Sequence, residues 1–293
     1  MSGSRIGARQ RGAALLLVRW LIVLLTALVG AFALSARIEQ MQGRVLAHAV
    51  AGDQAARAGL EYALLRLRDA DPQARWIPDG RPYEWSFNGV PLQVRVLDET
   101  GKVDLNGADQ ALLAGLMAAL GAEAADAERL AGAIIDWRDP DDMGQLAGAA
   151  EDPQYAAAGL PYGAKDAPFE AVSELELVLG MPAELAARMA EHATVHSGRP
   201  QPDPNYAGGV VLQAMGIDPA PVLAGRQADE GMLPGAGAFS AGGSGTWSID
   251  SRARLPDGRE SRLQAVVRAG GGMPGAAYTP LRWKEGTAVP AGD

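Results

Sequence analysis

RQRGAALLLVRWLIVLLTALVGAFAL, Arg9–Leu34, joins a short basic leader, a glycine and one long apolar run. The apolar part, Ala13–Leu34, is 22 residues long. At about 1.5 Å rise per residue, a helix of that length crosses the roughly 30 Å hydrocarbon layer of a bilayer. Arg19 is the one charge inside the run, and Arg5, Arg9 and Arg11 precede it. That asymmetry predicts a cytoplasmic N-terminus with the remaining chain on the far side of the membrane. Three fates fit the segment. A secretory signal would be cut at the small residues Ala31-Phe32-Ala33, and an uncut segment would be a plain signal anchor. A cut after Gly12, between leader and run, would remove the charges and keep the helix.

Outward from this run, Val45, Ala49, Ala56, Leu60, Ala63, Leu64 and Leu67 recur at spacings of three and four, so the helix is expected to continue to about Arg68. Asp71-Pro72 ends it, because the residue before proline is pushed out of the helical region. A break near Gly52 or Gly59 is the alternative. Tyr83–Phe87 and Leu92–Val96 then alternate apolar and polar residues around Asn88-Gly89, the signature of a hairpin. A second strand pair, Thr246–Leu255 and Ser261–Arg268, turns at Pro256-Asp257-Gly258.

Between the two β regions the patterning is helical. Helices are expected at Asp109–Leu120 and Ala125–Asp136. Two more fall within Ser173–His192, meeting at Gly180-Met181-Pro182, and a weaker pair covers Val210–Gly216 and Pro219–Gly225. Ser173 and Glu176 have the spacing of a capping box. Such pairs resemble helix-hairpin-helix or SAM-like modules. Gly231–Gly245 reads as a flexible return to the sheet. The expected fold class is α+β, with a discontinuous antiparallel sheet and a large helical insertion. Its segments are 1–12 (basic leader), 13–36 (transmembrane helix), 37–70 (soluble continuation), 71–100 (first strands), 101–245 (insertion, acidic loop and linker) and 246–293 (last strands and tail).

Composition narrows the chemistry. A net charge of −9 argues against a nucleic-acid surface, which needs clustered Lys and Arg. The absence of cysteine excludes disulfides, thiolate metal sites and a cysteine nucleophile. The three histidines, His48, His192 and His196, are scattered, and His192 and His196 share a helix face only if that helix runs past Ala193. Gly270, Gly272 and Gly275 fit G-x-G-x-x-G by chance, since Pro274 interrupts them and no strand-to-helix turn surrounds them.

The strongest chemical signal outside the N-terminus is DWRDPDDMGQLAGAAEDPQY, Asp136–Tyr155. It gathers Asp136, Asp139, Asp141, Asp142, Glu151 and Asp152, whose carboxylates repel one another unless a cation offsets the charge. Calcium suits such a set, taking six to eight oxygens in flexible geometry. The run from Asp139 opens like an EF-hand but fails at Met143 and Ala150. A calcium loop of another kind and a solvated acidic turn without metal both remain open. Six acids in one loop fit cation binding better than a pair facing across a substrate cleft, and no catalytic set is evident.

The leader, with its glycine before the apolar run, resembles that of type IV pilins and type II secretion pseudopilins. This resemblance implies prepilin peptidase cleavage after Gly12 and N-methylation of Ala13, and a pilin-like fold whose long helix packs on the sheet. Those families mostly carry a glutamate at mature position five, which is Leu17 here. Its absence, with a large soluble domain, resembles the K-type minor pseudopilins. So do Gly101-Lys102-Val103-Asp104-Leu105-Asn106, Trp137-Arg138-Asp139, Glu151-Asp152 followed by Tyr155, Pro168-Phe169, Ser173-Glu174-Leu175 and Gly180-Met181. The resemblance implies calcium, at a site like a pair of ions, held by Asp139, Asp141, Asp142, Glu151 and Asp152, with Asp136 beside them. Gly148-Ala149-Ala150-Glu151 is one residue longer than the family's usual run. The implied function is structural: capping the tip of the type II secretion pseudopilus, in the inner membrane with a periplasmic head. The implied partners are other minor pseudopilins, prepilin peptidase, inner-membrane lipid and secreted exoproteins, without nucleic acid. A membrane-anchored metal-dependent periplasmic hydrolase and a minor pilin of a type IV or competence pilus are the alternatives.

Overall fold

The structure, a computed structural model, describes residues 10–228, 243–270 and 277–288. The chain forms two units, one ending at Gly52 and the other beginning at Asp53. Helix α1 runs from Gln10 to Leu67 without interruption, so neither Gly52 nor Gly59 breaks it. From Leu15 to Leu34 its leucines, valines and isoleucine lie bare: Leu15 is 73% and Leu25 51% exposed. A row of large apolar side chains on every face is costly in water and matched by hydrocarbon. By length and composition this helix can cross a membrane. Gly12 and Ala13 fall within its first turn, and residues 1–9 of the leader lie outside the described residues.

The second unit contains the end of α1, a five-stranded antiparallel sheet and the helical insertion. The strands are β1 (Asp79–Phe87), β2 (Val90–Asp98), β5 (Thr246–Arg254), β6 (Glu260–Ala269) and β7 (Tyr278–Ala288), hydrogen-bonded in that order. The β1–β2 turn is the expected one, with Asn88 at φ 49° and Gly89 at φ 79°, both left-handed. Strand β7 was not among the named strand pairs, and it carries Pro280 and Gly286, which disfavour a strand interior. As an edge strand it tolerates both, and Pro280 sits beside a register shift.

One face of the sheet presents Leu92, Val94, Val96, Ile249, Leu263 and Ala265, which pack with Ala55, Ala56, Leu60, Ala63 and Leu64 of α1 into one core. The stripe read from the sequence is thus the buried face from Ala56 onward. A ring array borders it: Tyr62 stacks on Trp85 at 4.1 Å and Trp76 on Tyr83 at 4.2 Å between centroids.

The insertion leaves β2 and rejoins at β5, so these neighbouring strands are joined through a second, separate core. Its elements are β3 (Val103–Asp104), α2 (Gln110–Ala119), α3 (Ala124–Arg138), α4 (Asp152–Ala157), α5 (Ala183–Met189), β4 (Ala193–Thr194), α6 (Gly209–Ala214) and α7 (Pro219–Ala228). Two expectations need correction. Val172–Leu177 is a 3-10 helix instead of the first of two α-helices. Its cap is also Glu174, not a Ser173–Glu176 box, for Glu174 Oε1 accepts from the N–H groups of Glu170 (2.8 Å) and Ala171 (3.0 Å). Strands β3 and β4 pair in parallel, which ends the α5 region before His196 and removes any helical His192–His196 pair. Most of the expected Gly231–Gly245 connection, and Gly272 and Gly275, lie outside the described residues.

Candidate metal centre

The acidic loop hangs between α3 and α4. Asp136, in the last turn of α3, is fully buried and holds the loop by its backbone: Oδ1 accepts from Gln145 N at 3.0 Å and Oδ2 from Ala150 N at 2.7 Å. The loop can lie this close to α3 because two glycines leave room. A Cβ on Gly132 would come within 1.9 Å of Ala147 O, and one on Gly148, at φ 92°, within 2.0 Å of Arg129 O. Neither glycine stands out in the sequence, since each is explained by a contact with a distant backbone atom.

Other residues of the recurring motifs tie the insertion together. Asn106 and Phe169 exchange hydrogen bonds, Nδ2 to O at 2.9 Å and N to Oδ1 at 2.7 Å. Arg138 donates to the carbonyls of Leu105 and Ala108. Tyr155, fully buried, accepts from Leu179 N at 2.9 Å and lies beside Trp137 and Tyr162.

The remaining acids divide. Glu151 is 5% exposed, and its Oε1 has no donor; Oδ1 of Asp139 is buried and equally unpartnered. Burial pushes the Glu151 carboxyl up to about 7, and Asp136, Asp139, Asp166 and Asp142 add repulsion. Asp139 is raised by burial and then by Asp141, Asp136 and Asp166, with Arg138 opposing. Asp136 is raised by burial, against the pull of its two backbone donors. Asp141 and Asp142 are exposed, and Asp141 Oδ1 accepts from Met143 N at 2.9 Å. The Asp152 carboxylate lies against Gly163, where a Cβ would meet it at 1.7 Å.

Asp166 is the acid that sequence reading missed. It lies outside the acidic run and reaches the centre through the fold, with a left-handed backbone at φ 53°. Among the described residues no three carboxylates or histidines converge closely enough to hold an ion as they stand. The donor chemistry nevertheless fits a hard cation: every donor is oxygen, the carboxylates repel one another, and two buried oxygens lack partners. Asp139 and Glu151 are the residues that would hold it, with Asp141, Asp142 and Asp166 nearby in charge.

Residues 92–198, spanning β2 to the turn after β4, match the family model described as type II secretion system (T2SS), protein K. The type II secretion system protein K of Klebsiella pneumoniae is 31% identical over 202 residues, which is 62% of this chain and 61% of that relative. The chain thus spans less than two thirds of that relative's length. The crystal structure of the GspK-GspI-GspJ complex from the enterotoxigenic Escherichia coli type 2 secretion system contains a similar fold. The TM-score is 0.52 at 17% identity, over 86% of this chain and 99% of that one. At that identity the likeness is one of fold, α+β and pilin-like, with a long N-terminal helix and an antiparallel sheet.

Proposed function

We propose, on the match of residues 92–198 to the type II secretion system protein K family and the likeness to one such protein, that the chain belongs to that family and is a minor pseudopilin capping the tip of a periplasmic pseudopilus that serves protein secretion across the outer membrane. Its role is structural and not enzymatic. The observation that carries this reading is α1. One helix bears both a bare apolar segment suited to lipid and the stripe buried against the sheet.

On this reading prepilin peptidase cuts after Gly12 and Ala13 becomes the methylated N-terminus. The protein then sits once through the inner membrane, leader side in the cytoplasm and second unit in the periplasm. Leu17 stands where shaft subunits carry a glutamate, which suits a subunit that nothing adds above. The solved relative is a complex with GspI and GspJ, and the corresponding minor pseudopilins are the partners proposed here, with secreted exoproteins reaching the tip. Calcium, bound through Asp139 and Glu151, neutralises the acidic loop and rigidifies the insertion.

Mass spectrometry of the membrane-extracted protein tests the central step. The expected first residue is N-methylated Ala13. An intact leader, or a first residue after Ala33, overturns the proposal.

A further inference from the structure

The second face of the sheet, turned away from α1, is basic in a chain whose balance is acidic. Arg95 on β2 faces Asp250 on β5, which faces Gln264 on β6, which faces Lys284 on β7. The rows beside it add Arg252 with Arg262, and Arg282. With the side chain of Lys102 these line a cleft of about 820 Å³ between the sheet and the α5 end of the insertion, where Ala187, Ala190 and His192 form the wall. Six cations line it against three acids, Asp79, Glu191 and Asp250, although the whole chain has 26 basic and 35 acidic residues.

Two of those acids are already engaged. Asp250 is forked by two guanidiniums, Arg262 Nε at 2.7 Å and Arg252 Nη2 at 2.8 Å, and Asp79 is paired with Arg81 at 2.7 Å. Asp250 therefore holds the two arginines upright on the sheet and offsets one of their two charges. Lys102 is anchored at its back by Glu99 at 2.7 Å. Among the described residues no carboxylate pairs with Arg95, Arg282 or Lys284, and all three are exposed.

We propose that this cleft is a docking site for an acidic polypeptide segment of another protein. Charge complementarity selects a polypeptide carrying a short run of Asp or Glu. A long polyanion would extend past the cleft onto a surface whose net charge is −9, whereas a short segment meets only the basic floor. The dimensions agree. The row from Arg95 to Lys284 crosses three strand spacings, about 14 Å, the reach of four or five extended residues. Arginines standing on the inner strands β2, β5 and β6, with Arg282 and Lys284 on the edge strand β7, present positive charge to carboxylates, arginine by its planar fork. The inference does not rest on the proposed place in a pseudopilus, since sheet, cleft and charges are properties of the second unit alone.

The test uses the full chain in a non-ionic detergent and a fluorescent hexa-aspartate peptide, with hexa-serine as control. The expected result is saturable binding of hexa-aspartate alone, lost between about 50 and 500 mM salt as screening shortens the reach of each charge. Arg282→Glu with Lys284→Glu should weaken it at least tenfold. Arg75→Glu with Arg129→Glu, an equal charge change at exposed residues outside the cleft lining, should leave it within twofold. No binding, or equal weakening by both double variants, overturns the proposal. So does tighter binding of a single-stranded DNA 20-mer with the same sensitivity to Arg282 and Lys284, which would assign the cleft to polyphosphates.

Discussion

Asp139 and Glu151 each keep one buried carboxylate oxygen without a donor, and an unmet buried acceptor is a standing cost of about 1–3 kcal/mol. Glu151, pushed up to about 7, is poised between its neutral and ionised forms near neutral pH. A divalent cation would favour the ionised form and supply the missing partner. Calcium at a hundredfold its dissociation constant should add about 2.7 kcal/mol, roughly 5 °C or more in the melting midpoint relative to chelator. Glu151→Gln should abolish most of that rise while leaving the chelated protein no less stable, because an amide has no charge to desolvate. A melting point indifferent to calcium would return the loop to an acidic turn. Four of the carboxylates that press on this centre, Asp136, Asp139, Asp141 and Asp142, are close in sequence, and so were legible. Asp166 was not, because it belongs to the same electrostatic neighbourhood only after the loop folds back on α3.

Among the elements, α1 shows how periodicity succeeds. Its stripe repeats every three to four residues over many turns, so the buried face was legible from Ala56 to Leu64. What the stripe does not reveal is how near the sheet comes. At Gly59 a Cβ would meet Ser251 Oγ at 2.2 Å and Val94 Cγ2 at 3.2 Å. Gly59→Leu should therefore wedge helix from sheet and cost about 1–3 kcal/mol, read as a lower denaturation midpoint. Gly43→Leu, where nothing lies within 4 Å, should not. The 3-10 segment Val172–Leu177 shows the opposite case. Glu174 satisfies the backbone donors at the start of this segment locally, and the chain turns at Gly180, at φ 73°, before any α-helical run develops.

At the scale of the molecule, the question is how an insertion is held between two neighbouring strands. Glu99, 1% exposed, sits where the chain leaves β2, and its carboxylate takes bonds from Lys102, from Ser248 on β5 and from Thr194 on β4. One carboxylate thus joins the exit from the sheet, the return to it and the insertion itself. Burial alone raises the Glu99 carboxyl, but Lys102, Ser248 and Thr194 more than reverse this and hold it below its ordinary 4.5. A depressed folded value means stability that is present above pH 4.5 and lost as pH falls through the folded value. Acid unfolding should accordingly begin below about that pH, and Glu99→Gln should flatten the acid limb. Lys102→Met, which leaves a buried carboxylate unpaired, should cost about 3 kcal/mol at neutral pH, and adding Glu99→Gln should recover part of it.

The sequence by itself determined the long apolar helix, the two hairpins and the crowding of acids, because each is a pattern among near neighbours: an apolar run, an alternation of two, a turn of Asn and Gly, a local excess of charge. Only the tertiary structure decided that β2 and β5 lie side by side, that Pro280 and Gly286 sit in an edge strand, that Gly132 and Gly148 admit the loop, and that Arg95, Arg282 and Lys284 share one cleft. Those are relations between residues distant along the chain. They exist only once burying two apolar cores has offset the entropy of bringing them together.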